Sequence, residues 1–306
     1  MPTVEDIITE CNQYFDTVIV FSFLQKKFFD QNINHFIERT VKISSGTKQV
    51  IPDFIIFKNN TLSDIIEHKA SISKDKELAI KDINYCYKKY HKIQYNNKEF
   101  EPNVVLLYPD KSQYMINQIQ EDIPDKLGLC QFNLKDISIN FSRDCTFSNQ
   151  ILNRIFDLGP YICSIKEFSK QKFIKSEPPI VYTAFQITQI LPSFCDVRTA
   201  FEVSFIVKRE DLLRSMKYYY PPWISENLNQ INSNRINNAL IFLDDIKHID
   251  WNKGNDEITV YRKKGSRSGD ILRYFADKWC KIQEKGKHSR KKKKYLAVGQ
   301  KTLFDY

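Results

Sequence analysis

The chain has 306 residues, of which 42% are hydrophobic and 27% charged, and a formal net charge of +9. That length holds two domains with separate cores, and the mixture is that of a folded globular protein rather than a disordered or fibrous one. No apolar run reaches the roughly eighteen residues that span a bilayer, and the start of the chain is too acidic for a signal peptide, so an intracellular protein with no membrane partner is expected.

The charge is unevenly placed. From Lys281 onward nine Lys or Arg stand against two acids, a surplus of seven that leaves only +2 for the first 280 residues. Nucleic-acid binding therefore has to be argued from local patches and not from the isoelectric point. The seven cysteines, at 11, 86, 130, 145, 163, 195 and 280, form no CxxC pair, and the five histidines show no metal spacing with them. That pattern argues against structural zinc and against a disulfide framework.

Thr3 to Phe29 carries apolar residues close to helical spacing and predicts one long helix or two in succession. His35 to Ile43 alternates as a strand, and Ser44-Ser45-Gly46-Thr47 turns it back. Two apolar runs follow, Val50 to Phe57 and Leu62 to Ile66, split by Lys58-Asn59-Asn60, which reads as an antiparallel hairpin. Side chains alternate along a strand, so Glu67 and Lys69 project to one side and His68 to the other. Thirteen residues separate Asp53 from Glu67, enough for the hairpin to bring both carboxylates together. Paired carboxylates repel unless a cation lies between them, and hard oxygen ligands suit Mg²⁺ or Mn²⁺.

Glu77 to Tyr90 is a helix with a stripe of Leu78, Ile80, Ile83, Tyr87 and Tyr90. Val104 to Tyr108 reads as a buried strand, Ser112 to Ile119 as a helix and Gly128 to Leu134 as a further strand. Around Asp144 to Gln150 the composition turns polar, which sets an expected boundary between residues 1–145 and 146–282. Beyond it, helices are expected over Ser164 to Ile174, Tyr182 to Leu191, Pro221 to Ile231, Asn234 to Ile249 and Asp270 to Ile282. Strand-like stretches run over Thr199 to Val207 and Glu257 to Arg262. Residues 283–306 hold a four-lysine run without apolar period and are expected to be a disordered basic tail.

Pro52-Asp53 followed by Glu67-His68-Lys69 resembles the signature of the PD-(D/E)XK nuclease superfamily, which includes restriction endonucleases, archaeal Holliday-junction resolvases and many repair nucleases. The expected order α-β-β-β-α-β-α-β agrees with that superfamily's α/β core, a restriction-endonuclease-like mixed sheet flanked by helices, over about the first 140 residues. The resemblance implies a Mg²⁺-dependent DNA endonuclease. Asp53, Glu67 and the carbonyl of His68 would ligate the metal, and Lys69 would position the attacking water. It also implies an acid on the first helix, for which Glu5 is preferred over Glu10. A Gln-x-x-x-Tyr pattern marks one branch; here Lys81 and Tyr85 stand at that spacing, and core packing is the expected role of Tyr85. Cutting both strands with one site per chain takes two chains, so a homodimer is an expectation from mechanism.

The second region resembles a winged-helix domain. On that resemblance Asn234, Arg235, Asn237 and Asn238 lie on the polar face of the groove helix, and Arg262, Lys263, Lys264 and Arg267 form a wing against phosphates. The last seven residues resemble the sliding-clamp-binding peptide of archaeal and eukaryotic replication proteins, with Gln300, Leu303, Phe304 and Tyr306 as the contacts. Recruitment to a clamp points to repair or replication-associated DNA; restriction or transposon end cleavage, or a non-catalytic DNA-binding adaptor, are the alternatives.

Overall fold

The computed structural model describes residues 2–37, 40–43, 48–135, 138–157, 159–162, 178–195, 204–218, 233–261 and 271–285. The chain is mixed α/β and divides into two compact units, one of Gln13–Ser176 with Tyr219–Ile231, the other of Met1–Asn12, Glu177–Tyr218 and Asn232–Tyr306. Among the described residues no helix is long and apolar enough to cross a membrane.

The first unit is organised by a sheet. Helix α1 (Val4–Asp30) enters it, and the strands that follow are β1 (His35–Ile37), β2 (Val41–Ile43), β3 (Gln49–Val50), β4 (Phe54–Lys58) and β5 (Thr61–His68). Helix α2 (Lys76–Tyr90) leads to β6 (Ile93–Tyr95), β7 (Lys98–Phe100) and β8 (Asn103–Pro109). Helix α3 (Gln113–Ile119), β9 (Leu127–Lys135), β10 (Ser138–Arg143), α4 (Gln150–Asp157) and β11 (Tyr161–Ile162) complete it. The large sheet runs β1-β4-β5-β8-β9-β10-β11, and a smaller one runs β3-β2-β6-β7. The β5–β8 and β8–β9 pairs are parallel, with α2 and α3 in the two crossovers; the other pairs are antiparallel.

Each face of the large sheet is covered by aromatic and aliphatic packing. On one, Phe21 and Phe28 of α1 meet the Phe54 ring at 4.7 and 5.7 Å, and Phe23 meets Phe141 at 5.9 Å. On the other, Ala79, Ile83, Cys86 and Tyr90 of α2 and Ile116 and Ile119 of α3 form one core with Ile55, Phe57, Leu62, Ile65, Val104 and Leu106. Asp75 caps α2 by accepting the Leu78 amide at 3.0 Å, and Lys88 and Lys89 stand at its carboxyl end, where cations favour the helix dipole.

Several expectations change here. His35 to Ile43 is not one strand: His35–Ile37 pairs with β4, whereas Val41–Ile43 pairs with β3 and β6 in the smaller sheet. Likewise Val50 belongs to the smaller sheet and Phe54 to the larger, so Ile51-Pro52-Asp53 is the passage between them. The β6–β7 hairpin, turned by Asn96 and Asn97 at φ 49° and 61°, was not expected. The boundary near residue 145 is also displaced. Past it, the Ser148 amide donates to Asp64 at 2.9 Å, Arg143 pairs with Asp157 at 2.5 Å, and β11 adds to β10.

In the second unit α5 (Ile180–Ile190), β12 (Ser204–Lys208), α6 (Arg209–Tyr218), α7 (Ser233–Asp245), β13 (Ile249–Asn252) and β14 (Glu257–Tyr261) precede α8 (271–285). Its sheet has the order β12-β14-β13, and its core gathers Leu212, Met216, Ile236, Leu240, Leu243, Ile258 and Phe275. The helix expected through Ile249 stops at Asp245. Lys247 takes φ 57°, its amide bonds the Asp244 carbonyl and that of His248 bonds the Leu243 carbonyl, a paired-bond ending usually built on glycine. The last helix continues to residue 285, past the expected start of the tail. The helices expected over 164–174 and 221–231 lie outside the described residues.

Candidate active site

The hairpin β4–β5 sets the geometry. Its turn residues Asn59 and Asn60 adopt φ 51° and 60°, the left-handed pair that matches strand twist and that Asn tolerates better than other side chains bearing Cβ. Ile56 pairs with Asp64 but Phe57 with Leu62, so Ser63 is an extra residue, a β-bulge. The bulge resets the alternation. Leu62 and Ile65 therefore share the α2-facing core, and Glu67 and Lys69, two and four residues on, take that face. Phe54 pairs with Ile66, which brings Asp53 to the level of Glu67, and Asp53 Oδ2 accepts the His68 amide at 2.7 Å. The Lys69 amide donates to the Leu107 carbonyl at 2.8 Å, carrying the β5–β8 ladder one residue further.

Asp53 is buried, and Glu67 and Lys69 are partly buried. The Glu67 carboxyl is pushed up to about 7, first by burial and then by the charge of Asp53; Lys89, Lys69 and the Tyr90 hydroxyl act in the opposite sense. Two acids are thus held together in a site poor in compensating solvent.

Tyr90 closes one wall. Its hydroxyl lies 2.9 Å from Glu67 Oε2 and 3.1 Å from the Ile51 carbonyl. A phenol has one proton to give, so ionised Glu67 and the carbonyl compete for it. When Glu67 is protonated, the acid donates to the phenol and the phenol to Ile51. Burial, followed by the Glu67 charge, drives the phenol's own pKa far up, so it remains a donor at any working pH. Lys89 Nζ lies 4.5 Å from the Tyr90 ring centroid, and the Cys86 thiol, pushed up to about 12 mainly by burial, completes the α2 side as an inert group.

Asp53 and Glu67 stand at one level of the hairpin, and the charge of Lys69 acts on Glu67. The His68 imidazole is on the opposite, α1 side, edge-on to Phe21 at 5.3 Å and stacked on Phe132 at 5.4 Å, so only its main-chain carbonyl is available for the expected ligand role. Glu5 belongs to the other unit, where its Oε1 pairs with Arg273 Nη2 at 2.5 Å, and among the described residues no group of three or more His, Cys, Asp or Glu side chains could hold a metal ion. Inside the first unit α1 carries Asp16, raised by burial and opposed by the charge of Lys111, and Asp30, which pairs with Lys26.

On α2 the i,i+4 pair that reaches the carboxylates is Cys86 and Tyr90, not Lys81 and Tyr85. Tyr85 is not core: its side chain is 54% exposed. Tyr90 and Lys89 are the site residues that sequence reasoning missed as such, although a tyrosine in a buried stripe is itself a signal, since its hydroxyl must find a partner.

In the second unit Arg235 donates Nε to the Pro178 carbonyl at 2.5 Å and Asn237 accepts from Arg209 at 2.9 Å, so both have structural bonds within the unit, whereas Asn238 is exposed. The wing residues Arg262, Lys263, Lys264 and Arg267, and the clamp-peptide residues Gln300, Leu303, Phe304 and Tyr306, lie outside the described residues. Comparison of the chain with protein-family models, with curated proteins and with solved structures gives no match.

Proposed function

We propose that the chain is a Mg²⁺- or Mn²⁺-dependent DNA endonuclease of the PD-(D/E)XK kind. The observation that carries this reading is the Asp53–Glu67 pair: two buried or partly buried acids at one level of a hairpin, with Glu67 driven up to about 7 by burial and by its neighbour, and Lys69 on the same face. A divalent ion relieves that repulsion. Mg²⁺ is commonly held by one or two carboxylates with waters and substrate phosphates making up the rest, so a pair without a third acid fits it. Asp53, Glu67 and the His68 carbonyl would hold the ion, which supplies charge neutralisation at the phosphodiester and a more acidic water. Lys69 orients the water, and Tyr90 fixes the Glu67 carboxylate by its 2.9 Å bond.

The strand order β1-β4-β5-β8-β9, with Asp53 just before β4, Glu67 on β5 and helices in the parallel crossovers, supports the restriction-endonuclease-like reading of the first unit. The order β12-β14-β13 among α5, α6 and α7 supports a winged-helix reading of the second. Recruitment through residues 300–306 to a sliding clamp rests on the sequence pattern alone, and titration of that peptide onto a clamp tests it.

The test of the activity is a nicking assay on a panel of duplex, branched and single-stranded DNA. Wild-type protein should cut with Mg²⁺ or Mn²⁺ and not in EDTA, and Lys69→Ala should fold and bind DNA but not cut. A Lys69→Ala protein that cuts at the wild-type rate would refute the site assignment.

A further inference from the structure

We propose that the outer face of α2 is a docking strip for a single strand of nucleic acid, with one unpaired base stacked on the Tyr85 ring and adjacent phosphates on Lys48, Lys81 and Lys88. This deepens the nuclease reading by naming the form of substrate brought to the site, and it rests on that reading only for its biological purpose.

Burying Ala79, Ile83, Cys86 and Tyr90 turns the stripe Leu78, Lys81, Tyr85 and Lys88 to solvent, at spacings of three, four and three residues. Leu78 and Tyr85 are 52% and 54% exposed on this face. They stand two turns apart, about 10 Å along the axis. Lys48, from the segment that enters β3, donates Nζ to the Tyr85 hydroxyl at 3.3 Å and lies 5.8 Å from its ring centroid. The ring is thereby anchored at its edge with its body exposed; Lys81 and Lys88 share its helix face by spacing, and Glu77 and Asp82 are the acids on the exposed side of the same helix.

An exposed π-face with lysines at its edge and along its helix face fits a polyanion whose bases are unstacked. Duplex DNA hides its base faces in the helical stack, so the tyrosine adds affinity only for an unpaired base. The segment Lys48–Ile51 touches both the strip and the site, at Tyr85 through Lys48 and at Tyr90 through Ile51. Ile51, itself 53% exposed, offers its carbonyl to the same Tyr90 hydroxyl that bonds Glu67. Charge complementarity disfavours a basic or neutral protein partner, and packing of a second copy of the chain on the same face is an outcome that the experiment separates.

The test is fluorescence anisotropy with the full chain in EDTA, where no cleavage occurs, using fluorescein-labelled oligothymidine and a labelled hairpin duplex. Tyr85→Ala should weaken oligothymidine binding about tenfold, while Tyr85→Phe stays within about twofold and the duplex is unaffected. Lys48→Ala should weaken binding and reduce the slope of log K against log salt by about 0.7. The proposal is overturned if Tyr85→Ala binds oligothymidine as wild type does, or if it loses single strand and duplex equally. It is also overturned if Tyr85→Ala changes only the oligomeric state on size-exclusion chromatography. Unchanged circular dichroism and melting temperature establish that the variants fold. A chain that shows the Tyr85 pattern yet never cuts loses the nuclease reading and keeps the strip; one that cuts but ignores Tyr85→Ala loses the strip alone.

Discussion

Glu67→Gln should stabilise the protein at alkaline pH and leave it unchanged in acid. Moving a carboxyl from 4.5 to about 7 on folding corresponds to about 3 kcal/mol of differential interaction between its two protonation states. The folded chain holds the Glu67 proton more tightly than the unfolded chain does, so wild-type stability falls as pH rises from about 4.5 to about 7 and is flat beyond. Glutamine keeps the shape and still accepts from the Tyr90 hydroxyl, but it carries no charge to repel Asp53. The variant's advantage should therefore be near zero at pH 4 and approach, but not exceed, about 3 kcal/mol at pH 8 without divalent ions. Urea unfolding followed by circular dichroism at the two pH values measures it. An advantage equal at both pH values, or a loss of stability at pH 8, would refute the assignment of Glu67 as a strained, partly buried acid beside Asp53.

Tyr90→Phe removes the donor that helps hold Glu67 ionised, so Mn²⁺ binding should shift to higher pH; the lost hydrogen bond costs about 1 kcal/mol, read from the urea midpoint. Asp64→Ala strips the acceptor of Ser63 Oγ, Asn103 Nδ2 and the Ser148 amide from a fully buried position. It should cost on the order of 3 kcal/mol, and a loss below about 1 kcal/mol in thermal or urea unfolding would contradict the buried-network account. Asn60→Val forces a β-branched side chain to φ 60° and should cost about 1–3 kcal/mol, whereas Asn60→Gly should be neutral or stabilising.

The candidate site was legible wherever local chemistry decided it. Asn59-Asn60 between two apolar runs announces the hairpin, and alternation places Glu67 and Lys69 on one side and His68 on the other, as the structure has them. The bulge at Ser63 was not legible, yet it determines which face that is: without it the Leu62 side would carry Asp64 and His68 instead of Glu67. What sequence could not show are choices made by tertiary contact. One apparent strand is divided between two sheets, His35–Ile37 in the larger and Val41–Ile43 in the smaller. The ending of α7 at a left-handed Lys247 lacks the glycine that usually marks it. Tyr85 and Tyr90 have the same local propensity, and only the packing of α2 on the sheet puts Tyr90 on Glu67 and Tyr85 in solvent. Glu5 was chosen from its place in the first turn, but Arg273, 268 residues away in sequence, is its partner.

The central claim is that Asp53 and Glu67 form a seat for one divalent ion. Titration of Mn²⁺ into metal-free full-length protein at pH 8, followed by loss of the free-ion paramagnetic resonance signal, measures it directly. Wild type and Lys69→Ala should each show one saturable site that Asp53→Asn and Glu67→Gln abolish. No saturable binding in wild type, or undiminished binding in Asp53→Asn, would contradict the account.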